Sequence, residues 1–282
     1  MTLNKNFANA KLGPVRQKYN WKDVALYAIS LGAGTDDLEY LLNPSPKVLP
    51  TYGVIPTFDP VFELLKQSGG DLVTLLHSSQ RTEIINPFPP EGVMETTAVV
   101  RGVFDMKIGA TLIIDTETLV DNVLTSKTVW TLLLRGEGGF GGERPPARLK
   151  IRPPAGKNPD FSVEVPTFKN SALLYRLNGD INPIHSNPEV AEAAGFDRPI
   201  LHGLCTYGIA GKAALKELAG NEPSRFKALE ALFAKPVMPG DTLLIEGWKL
   251  DDNNSGIKKA AITATVKETG VKAIANCVFE YE

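Results

Sequence analysis

Cysteine and histidine are scarce in this 282-residue sequence, and neither sign of charge is in excess. The two cysteines cannot build a disulfide framework, so we expect a protein of a reducing compartment. The three histidines are too few and too dispersed along the chain for a usual zinc set, and no metal is predicted. The formal net charge of −2 lacks the basic excess of nucleic-acid and membrane-surface binders, so neither partner is expected.

Signals for membrane spanning, secretion and dinucleotide binding are also missing. No apolar run approaches the roughly 18 residues of a membrane-spanning helix, and the amino-terminal residues lack the order of a secretory signal. No Gly-x-Gly-x-x-Gly follows a predicted strand, so no dinucleotide cofactor is predicted. The composition, 43% hydrophobic and 22% charged, is that of a globular protein with a substantial core.

The sequence pattern indicates two copies of one unit. Three short segments of the first half have counterparts in the second half, in the same order: 25–32 with 172–179, 51–53 with 206–208, and 87–92 with 236–241. This shared order indicates an internal duplication. Glycine and proline abound between 136 and 160, where regular patterning stops. We therefore predict a first unit over residues 1–142, a connection over 143–159 and a second unit over 160–282.

Strands are predicted after the turn segments of each unit, which are rich in proline and glycine, where Val, Thr, Ile and Leu are frequent. They span 93–104, 110–120 and 124–134 in the first unit, and 242–249, 257–266 and 271–281 in the second. A central helix packed on a curved antiparallel sheet in each unit is the simplest α+β arrangement for this element order.

Residues 179–185, Gly-Asp-Ile-Asn-Pro-Ile-His, place a carboxylate, an amide and an imidazole within six positions. Pro183 fixes its own φ and biases Asn182 toward extended geometry, so the segment cannot relax into a plain helix. Asp180 and His185 are then close enough to share one water, as acid/base chemistry requires. The alternative is a linking Asx turn in which His185 only packs.

Two helices are predicted after this turn. Asn187 as N-cap, followed by proline, indicates a short helix to about residue 195. An apolar stretch with small residues begins at Gly203 and predicts a buried helix through about Leu218. Its free N–H groups and its dipole would hold a developing oxyanion near Gly203. Alternatively, the glycines of this helix serve only packing.

Residues 175–191, which include this turn, resemble the signature of the (R)-specific enoyl-CoA hydratases, the hydratase 2 group of MaoC-like hot-dog proteins. The runs 138–142 and 199–208 are similar to the eukaryotic-type members, including the hydratase portion of peroxisomal multifunctional enzyme type 2. The resemblance covers the chain from about residue 20 onward. It implies a double hot-dog fold, in which two curved antiparallel sheets are each wrapped on a central helix.

The resemblance also implies a reaction. Members of this family add water to trans-2-enoyl-CoA and form (3R)-3-hydroxyacyl-CoA, reversibly, in fatty acyl-CoA metabolism. Asp180 and His185 would bind the water, Asn182 would orient it, and the Gly203 N–H would meet the thioester oxygen. The acyl-CoA is the substrate, and no separate cofactor is implied.

Two departures from the family pattern bear on the first unit and on the turn. Asn178 stands where the family usually has Ser, Thr, Gly or Cys, although Asn tolerates left-handed turn geometry. The segment 76–80 lacks the acid of the His-Gly-Glu that relatives often have, so His77 is not predicted to be catalytic. The first unit has no equivalent of the 179–185 turn, and we expect it to provide room for long or bulky acyl chains. We interpret His202 as structural, with bracing of Asp180 as the alternative.

A basic cluster lies in the connection and suits the phosphates of coenzyme A. Its members are Arg144, Arg148, Lys150, Arg152 and Lys157, against the single acid Glu143. The alternative is a solvated linker whose charge serves solubility. Glycines 138–142 offer a possible backbone cradle for phosphate. Further predicted substrate contacts are Tyr52, Tyr207 and Lys235.

Location, assembly and two other functions complete the expectations. The chain ends in Phe-Glu-Tyr-Glu, which lacks a Ser-Lys-Leu type address, although related proteins often work in peroxisomes. We expect an intracellular protein, of the peroxisomal matrix or the cytoplasm, and a homodimer by analogy alone. Two alternatives stay open: a hot-dog acyl-CoA thioesterase, which would send water to the carbonyl carbon, and a non-catalytic acyl-CoA binding protein.

Overall fold

The computed structural model describes residues 3–148, 151–250 and 256–282. Over these residues the strands are β1 (Lys11–Tyr19), β2 (Leu75–Ile84), β3 (Gly92–Met106), β4 (Gly109–Val120), β5 (Val123–Arg135), β6 (Phe161–Pro166), β7 (Phe226–Phe233), β8 (Thr242–Lys249), β9 (Lys258–Val266) and β10 (Val271–Tyr281). The α-helices are α1 (Trp21–Ser30), α2 (Phe58–Gln67), α3 (Ser171–Tyr175), α4 (Pro188–Ala193) and α5 (Gly203–Ala219).

The ten strands form one antiparallel sheet in the order β1-β3-β4-β5-β2-β7-β10-β9-β8-β6. Each half contributes five strands in the same internal order, and the halves meet where β2 pairs with β7. At this seam Arg81 lies opposite Glu230, and their side chains approach to 3.7 Å. The predicted double hot-dog architecture is confirmed, and the two sheets are continuous.

The six predicted strands are present as β3, β4, β5, β8, β9 and β10, with ends within two residues of the prediction. The sequence analysis did not identify β1, β2, β6 and β7. Strand β1 is largely exposed, and strand β6 has only six residues. Ser and Gln interrupt β2, which also has an irregular register between His77 and Ser79. Weak alternation and short length hide such strands from pattern recognition.

The central helix of the two units differs. In the second unit it is α5, a 17-residue helix with a mostly buried surface. In the first unit the corresponding segment is a 3₁₀ helix, Pro50–Thr57, in which every residue is buried, followed directly by α2. The central helix of the first unit is therefore a 3₁₀ segment that continues into an α-helix. Pro56 has no N–H to donate to the preceding turn, which disfavours a regular α-helix here.

The glycine-rich run 138–142 directly precedes the connection between the units. The Gly139 and Gly141 N–H groups each donate to the Asp105 carboxylate at 2.6 Å. The predicted phosphate cradle is therefore filled by a carboxylate of the protein itself. Farther along, residues 145–148 lie over the face of the sheet that carries Arg81 and Glu230. This face is opposite α5, because the neighbouring Leu229 points toward the helix and side chains alternate along a strand.

No helix among the described residues is long and apolar enough to cross a membrane.

Gly211→Ala tests the close packing of α5 against both units. The added Cβ would lie 2.7 Å from Thr51 Cγ2 and 3.1 Å from Leu229 Cδ2, both in buried residues. Overpacking costs about 1–3 kcal/mol, and alanine regains roughly 1 kcal/mol of helix propensity, so we expect a net loss of about 1 kcal/mol in the free energy of unfolding by urea. Gly34→Ala, whose Cβ would meet nothing within 4 Å, is the control. Unchanged stability of Gly211→Ala would contradict this packing.

Candidate active site

The 179–185 turn folds as its residue types predict. Gly179 has a φ of +120°, which favours glycine. Asn182 is the N-cap of the 3₁₀ turn Pro183–His185, and its Oδ1 accepts a hydrogen bond from the Ile184 N–H at 3.2 Å. The Asn182 N–H donates to Asp180 Oδ1 at 3.3 Å. These short-range bonds fix the carboxylate at one end of the turn and the imidazole at the other.

Asn178 does not adopt the left-handed conformation that its residue type tolerates, and its side chain forms hydrogen bonds instead. Its side-chain amide donates to the Tyr175 carbonyl oxygen at 2.9 Å and to Ser30 Oγ at 3.2 Å. Since Ser30 is the last residue of α1, Asn178 ties the start of the turn to the first unit. The left-handed position is taken by Gly179 instead.

Asp180, His185 and His202 each place a carboxylate oxygen or a ring nitrogen within 4.8 Å of the other two. The predicted proximity of Asp180 and His185 is confirmed. His185 Nδ1 lies 2.9 Å from the Ile200 carbonyl oxygen. Because a carbonyl oxygen only accepts, Nδ1 carries the proton. In the neutral ring, Nε2 therefore keeps its lone pair and is free to accept a proton from water.

Burial controls the protonation of this pair. It raises the pKa of Asp180 and lowers the pKa of His185, and the attraction between the two charges opposes both effects. The Asn182 N–H also favours the ionised form of Asp180, while the Ile200 carbonyl favours protonated His185. The net direction is toward a neutral carboxylic acid beside a neutral imidazole, a combination that can donate one proton and accept another.

The three histidines are dispersed along the sequence, and the fold brings His202 onto His185. The two ring centroids are 3.8 Å apart, and the ring planes are inclined by 29°. His202 Nε2 lies 3.1 Å from the Asp180 carbonyl oxygen. A metal ion bound by both rings would have to lie in both ring planes, and planes that are nearly parallel do not meet at bonding distance. The cluster is therefore poorly shaped to bind a metal, although its donor types would suit one.

The amino end of α5 begins at Gly203, as predicted. The first N–H groups of a helix have no partner within the helix, so the Gly203 N–H can donate to a ligand oxygen. A Cβ at this position would lie 3.2 Å from Phe233 Cδ1. Glycine therefore lets the Phe233 ring pack directly on the helix start.

An aromatic wall, which the sequence analysis missed, extends from this helix start. The His77 ring stacks on Trp130 with centroids 4.5 Å apart and meets Phe233 edge-on at 4.9 Å. Phe58, on α2, contacts Trp130 edge-on and lies 3.4 Å from a Cβ built at Gly179. Phe233 is the last residue of β7, so a correct prediction of this strand from the sequence would have placed Phe233 near the site.

The two tyrosines predicted to contact substrate, Tyr52 and Tyr207, are buried in the core. Tyr207 is fully buried, and its hydroxyl donates to the Leu229 carbonyl oxygen at 2.7 Å. Tyr52 packs against Tyr19 and Tyr27 and is only 2% exposed. Tyr52 does border a cavity of about 300 Å³, whose lining also includes Leu26, Ile55, Met94, Leu177 and Asn178. Leu177 and Asn178 directly precede the 179–185 turn, so this cavity adjoins the start of the turn.

The predicted phosphate-binding cations lie in the connection and just beyond Phe233. Arg148 lines a cleft of about 380 Å³ on the sheet face opposite α5, together with Arg81, Arg101 and Glu230. Arg144 and Arg152 are exposed, and Lys150 lies outside the described residues. Lys235 is exposed two residues beyond Phe233. The Leu201 N–H donates to the Val237 carbonyl oxygen at 2.8 Å, which holds this segment beside the start of α5.

Comparisons with known proteins divide the chain into two matching regions. Residues 150–272 match the family described as MaoC like domain, and residues 17–136 match the MFE-2 hydratase 2 N-terminal domain. A probable enoyl-CoA hydratase 2 of Dictyostelium discoideum is 38% identical over 261 residues, with 89% of each chain covered. An enoyl-CoA hydratase of Mycobacterium tuberculosis is 40% identical over 250 residues, 85% of this chain and 87% of the relative.

Solved structures agree with these matches. A MaoC-like dehydratase from Phytophthora capsici superimposes with a TM-score of 0.86 at 28% identity and covers 100% of this chain and 98% of its own. The full-length peroxisomal multifunctional enzyme type 2 of Drosophila melanogaster superimposes with a TM-score of 0.80 at 30% identity, over 96% of this chain and 48% of that enzyme.

His77→Phe is expected to reduce the loss of stability in acid. Burial lowers the pKa of His77 to about 3, whereas an unfolded histidine has a pKa of about 6.5. Between these values only the unfolded chain binds the proton, so stability falls as pH falls below about 6.5, by at most about 1.4 kcal/mol per pH unit for one histidine. Phenylalanine keeps the stacking and removes this proton.

Urea unfolding at pH 7 and pH 5 measures the change in His77→Phe and wild type. Tyr40→Phe is the control, because it alters a fully buried ring that does not titrate in this range. A pH dependence that is identical in wild type and His77→Phe would contradict a neutral, buried His77.

Proposed function

Because the chain belongs to the hydratase 2 group of MaoC-like proteins, we propose that it hydrates trans-2-enoyl-CoA to (3R)-3-hydroxyacyl-CoA, reversibly, in fatty acyl-CoA metabolism. The observation that carries the proposal is the Asp180–His185 pair, in which the Ile200 carbonyl holds His185 Nδ1 and leaves Nε2 able to accept a proton. The (3R) configuration comes from the family and not from the geometry.

The reaction adds the two parts of one water molecule to neighbouring carbons. As the water oxygen bonds to C3, His185 Nε2 accepts a water proton, and Asp180 donates its own proton to C2. The raised pKa of Asp180 and the lowered pKa of His185, both caused by burial, suit this assignment. After the reaction His185 is protonated and Asp180 is ionised. Transfer of the proton from His185 to Asp180 restores the starting state.

Negative charge develops on the thioester oxygen as water attacks C3. The Gly203 N–H, at the positive end of the α5 dipole, is our proposed donor to that oxygen. Loss of one such donor typically costs about 2.7–4 kcal/mol of barrier. Asn182 uses its Oδ1 to cap the turn, so its Nδ2 is the atom left to orient the water.

The substrate spans both units in this proposal. The cavity beside Tyr52 and Leu177 supplies space in the first unit for a long or bulky acyl chain, which Leu26 and Met94 also line. Exposed cations near the connection and beyond Phe233 would bind the phosphates of coenzyme A, with Arg148 and Lys235 as the leading candidates. No metal or redox cofactor takes part.

Compartment and assembly are part of the same proposal. Relatives from Arabidopsis thaliana and Mus musculus carry the word peroxisomal in their names, which supports an intracellular, peroxisomal or cytoplasmic, protein. We also propose a homodimer, by analogy with related hot-dog proteins.

Asp180→Asn and His185→Gln are each expected to lower kcat by about 10²–10⁴-fold, the usual contribution of a positioned acid or base. Loss of enoyl absorbance with crotonyl-CoA and with a longer trans-2-enoyl-CoA measures the rate. A free-thiol assay on the same samples separates hydration from thioester hydrolysis, and binding without either change would indicate a non-catalytic acyl-CoA binder.

Asp36→Asn is the matched control, because Asp36 is exposed in the corresponding region of the first unit. Circular dichroism establishes that each variant is folded. Near-normal rates in both Asp180→Asn and His185→Gln would exclude the assigned site.

Arg148→Gln and Lys235→Gln are expected to raise KM about two- to fivefold and leave kcat unchanged, since exposed charge pairs contribute roughly 0.2–1 kcal/mol. The measurement compares an enoyl-CoA with the corresponding enoyl-pantetheine, which lacks the nucleotide phosphates. The KM for the pantetheine thioester should not change. An equal rise in KM for both substrates would argue against phosphate binding by these side chains.

A further inference from the structure

His202 contacts each of the three parts of the site that the reaction requires. We propose that His202 is a positioning residue that sets the placement of Asp180, His185 and the Gly203 N–H relative to one another. The inference rests on the proposed function for its kinetic meaning, and its structural part stands on the contacts alone.

The first contact is with the acid. His202 Nε2 lies 3.1 Å from the Asp180 carbonyl oxygen. A carbonyl oxygen only accepts, so Nε2 carries the proton and donates it. This hydrogen bond joins two segments 22 residues apart in sequence, and it holds the main chain of Asp180 while the Asn182 N–H holds its carboxylate.

The second contact is with the base. The His202 ring stacks on the His185 ring with centroids 3.8 Å apart. The Ile200 carbonyl holds His185 Nδ1, so the stacked ring and this hydrogen bond together restrict rotation of the imidazole. A restricted ring keeps Nε2 directed at one point, which is what general-base catalysis requires.

The third contact is covalent. His202 is the N-cap of α5, and its carbonyl oxygen accepts from the Cys205 and Thr206 N–H groups at 3.0 and 3.3 Å. The next residue is Gly203, whose N–H is the proposed oxyanion donor. A shift of the His202 main chain therefore moves the acid, the base and the oxyanion donor together.

An uncharged ring is essential for this arrangement. His202 is fully buried, and burial, with a smaller effect from His185 and Arg176, lowers its pKa to about 2. The groups that face the two stacked rings are Asp180, Arg176 and Tyr175. Asp180 is the one acid among them, so a second cation beside His185 would repel the proton that His185 must accept.

Two variants separate the two side-chain contacts. His202→Phe keeps an aromatic ring for stacking and removes the donor to the Asp180 carbonyl. His202→Gln keeps an N–H donor at the end of a side chain of similar length and removes the ring. We expect kcat for trans-2-enoyl-CoA to fall at least tenfold in each, with KM changed by less than about twofold, because positioning affects the transition state more than binding.

The pKa of His185 is the readout that a merely structural role would not move. The chain has three histidines, so NMR titration with labelled histidine resolves each one, and His77→Phe assigns its signal. Removal of the covering ring in His202→Gln admits water, so the pKa of His185 should rise toward 6.5. In His202→Phe the ring remains, and the pKa of His185 should stay near its wild-type value. The acid limb of the kcat/KM profile should shift in the same way.

Tyr40→Phe is the control for loss of a buried hydrogen bond, since the Tyr40 hydroxyl donates to Asn221 Oδ1 beyond the far end of α5. It should leave kcat and the His185 titration unchanged. The proposal would be overturned if kcat of both His202 variants were within twofold of the wild-type value. It would also be overturned if the pKa of His185 were unchanged in His202→Gln. If the wild-type protein hydrates no enoyl-CoA, the proposed function fails, while the NMR titration still decides whether His202 positions His185.

Discussion

The buried contact between a carboxyl group and an imidazole is the constraint on which the site depends. Neither charge is well solvated there, so both groups are driven toward their neutral forms unless each stabilises the other. Their orientation must then come from hydrogen bonds to the main chain, which the Ile200 carbonyl and the Asn182 N–H provide. The chemistry is therefore determined by backbone geometry, and a proline, an N-cap and a helix start define that geometry within 25 residues.

The duplicated architecture allows the two units to differ in function while they share one sheet. In the second unit, α5 begins at a glycine and presents free N–H groups beside the pair. In the first unit, the corresponding segment starts at Pro50 and contains Pro56, is 3₁₀ and leads into α2. Its residues Tyr52 and Ile55 border the cavity that we assign to the acyl chain.

Local sequence patterns predicted much of this structure, and long-range contacts were beyond them. The turn, the cap at Asn187 and the start of α5 were all predicted, because each depends on residues within about four positions of one another. The contact of His202 with His185 brings together two residues of the second unit that lie outside its strands. The wall formed by His77, Trp130 and Phe233 depends on the pairing of β2 with β5 and with β7. Tyr207 is buried in the core for a related reason: it belongs to a segment that is alike in both units, and that likeness reflects a shared core.

The acidic residues of the two units show how environment assigns different roles. Shortly after Gly32, the first unit has Asp37, which is buried like Asp180. Lys212 of α5 lies 2.6 Å from the Asp37 carboxylate, and this cation keeps it ionised as one half of an ion pair between the units. Asp180 has an imidazole as its neighbour instead of an ammonium group. The same side chain is thus a fixed anion in one unit and a group able to exchange a proton in the other, in agreement with the catalytic centre that we propose for the second unit.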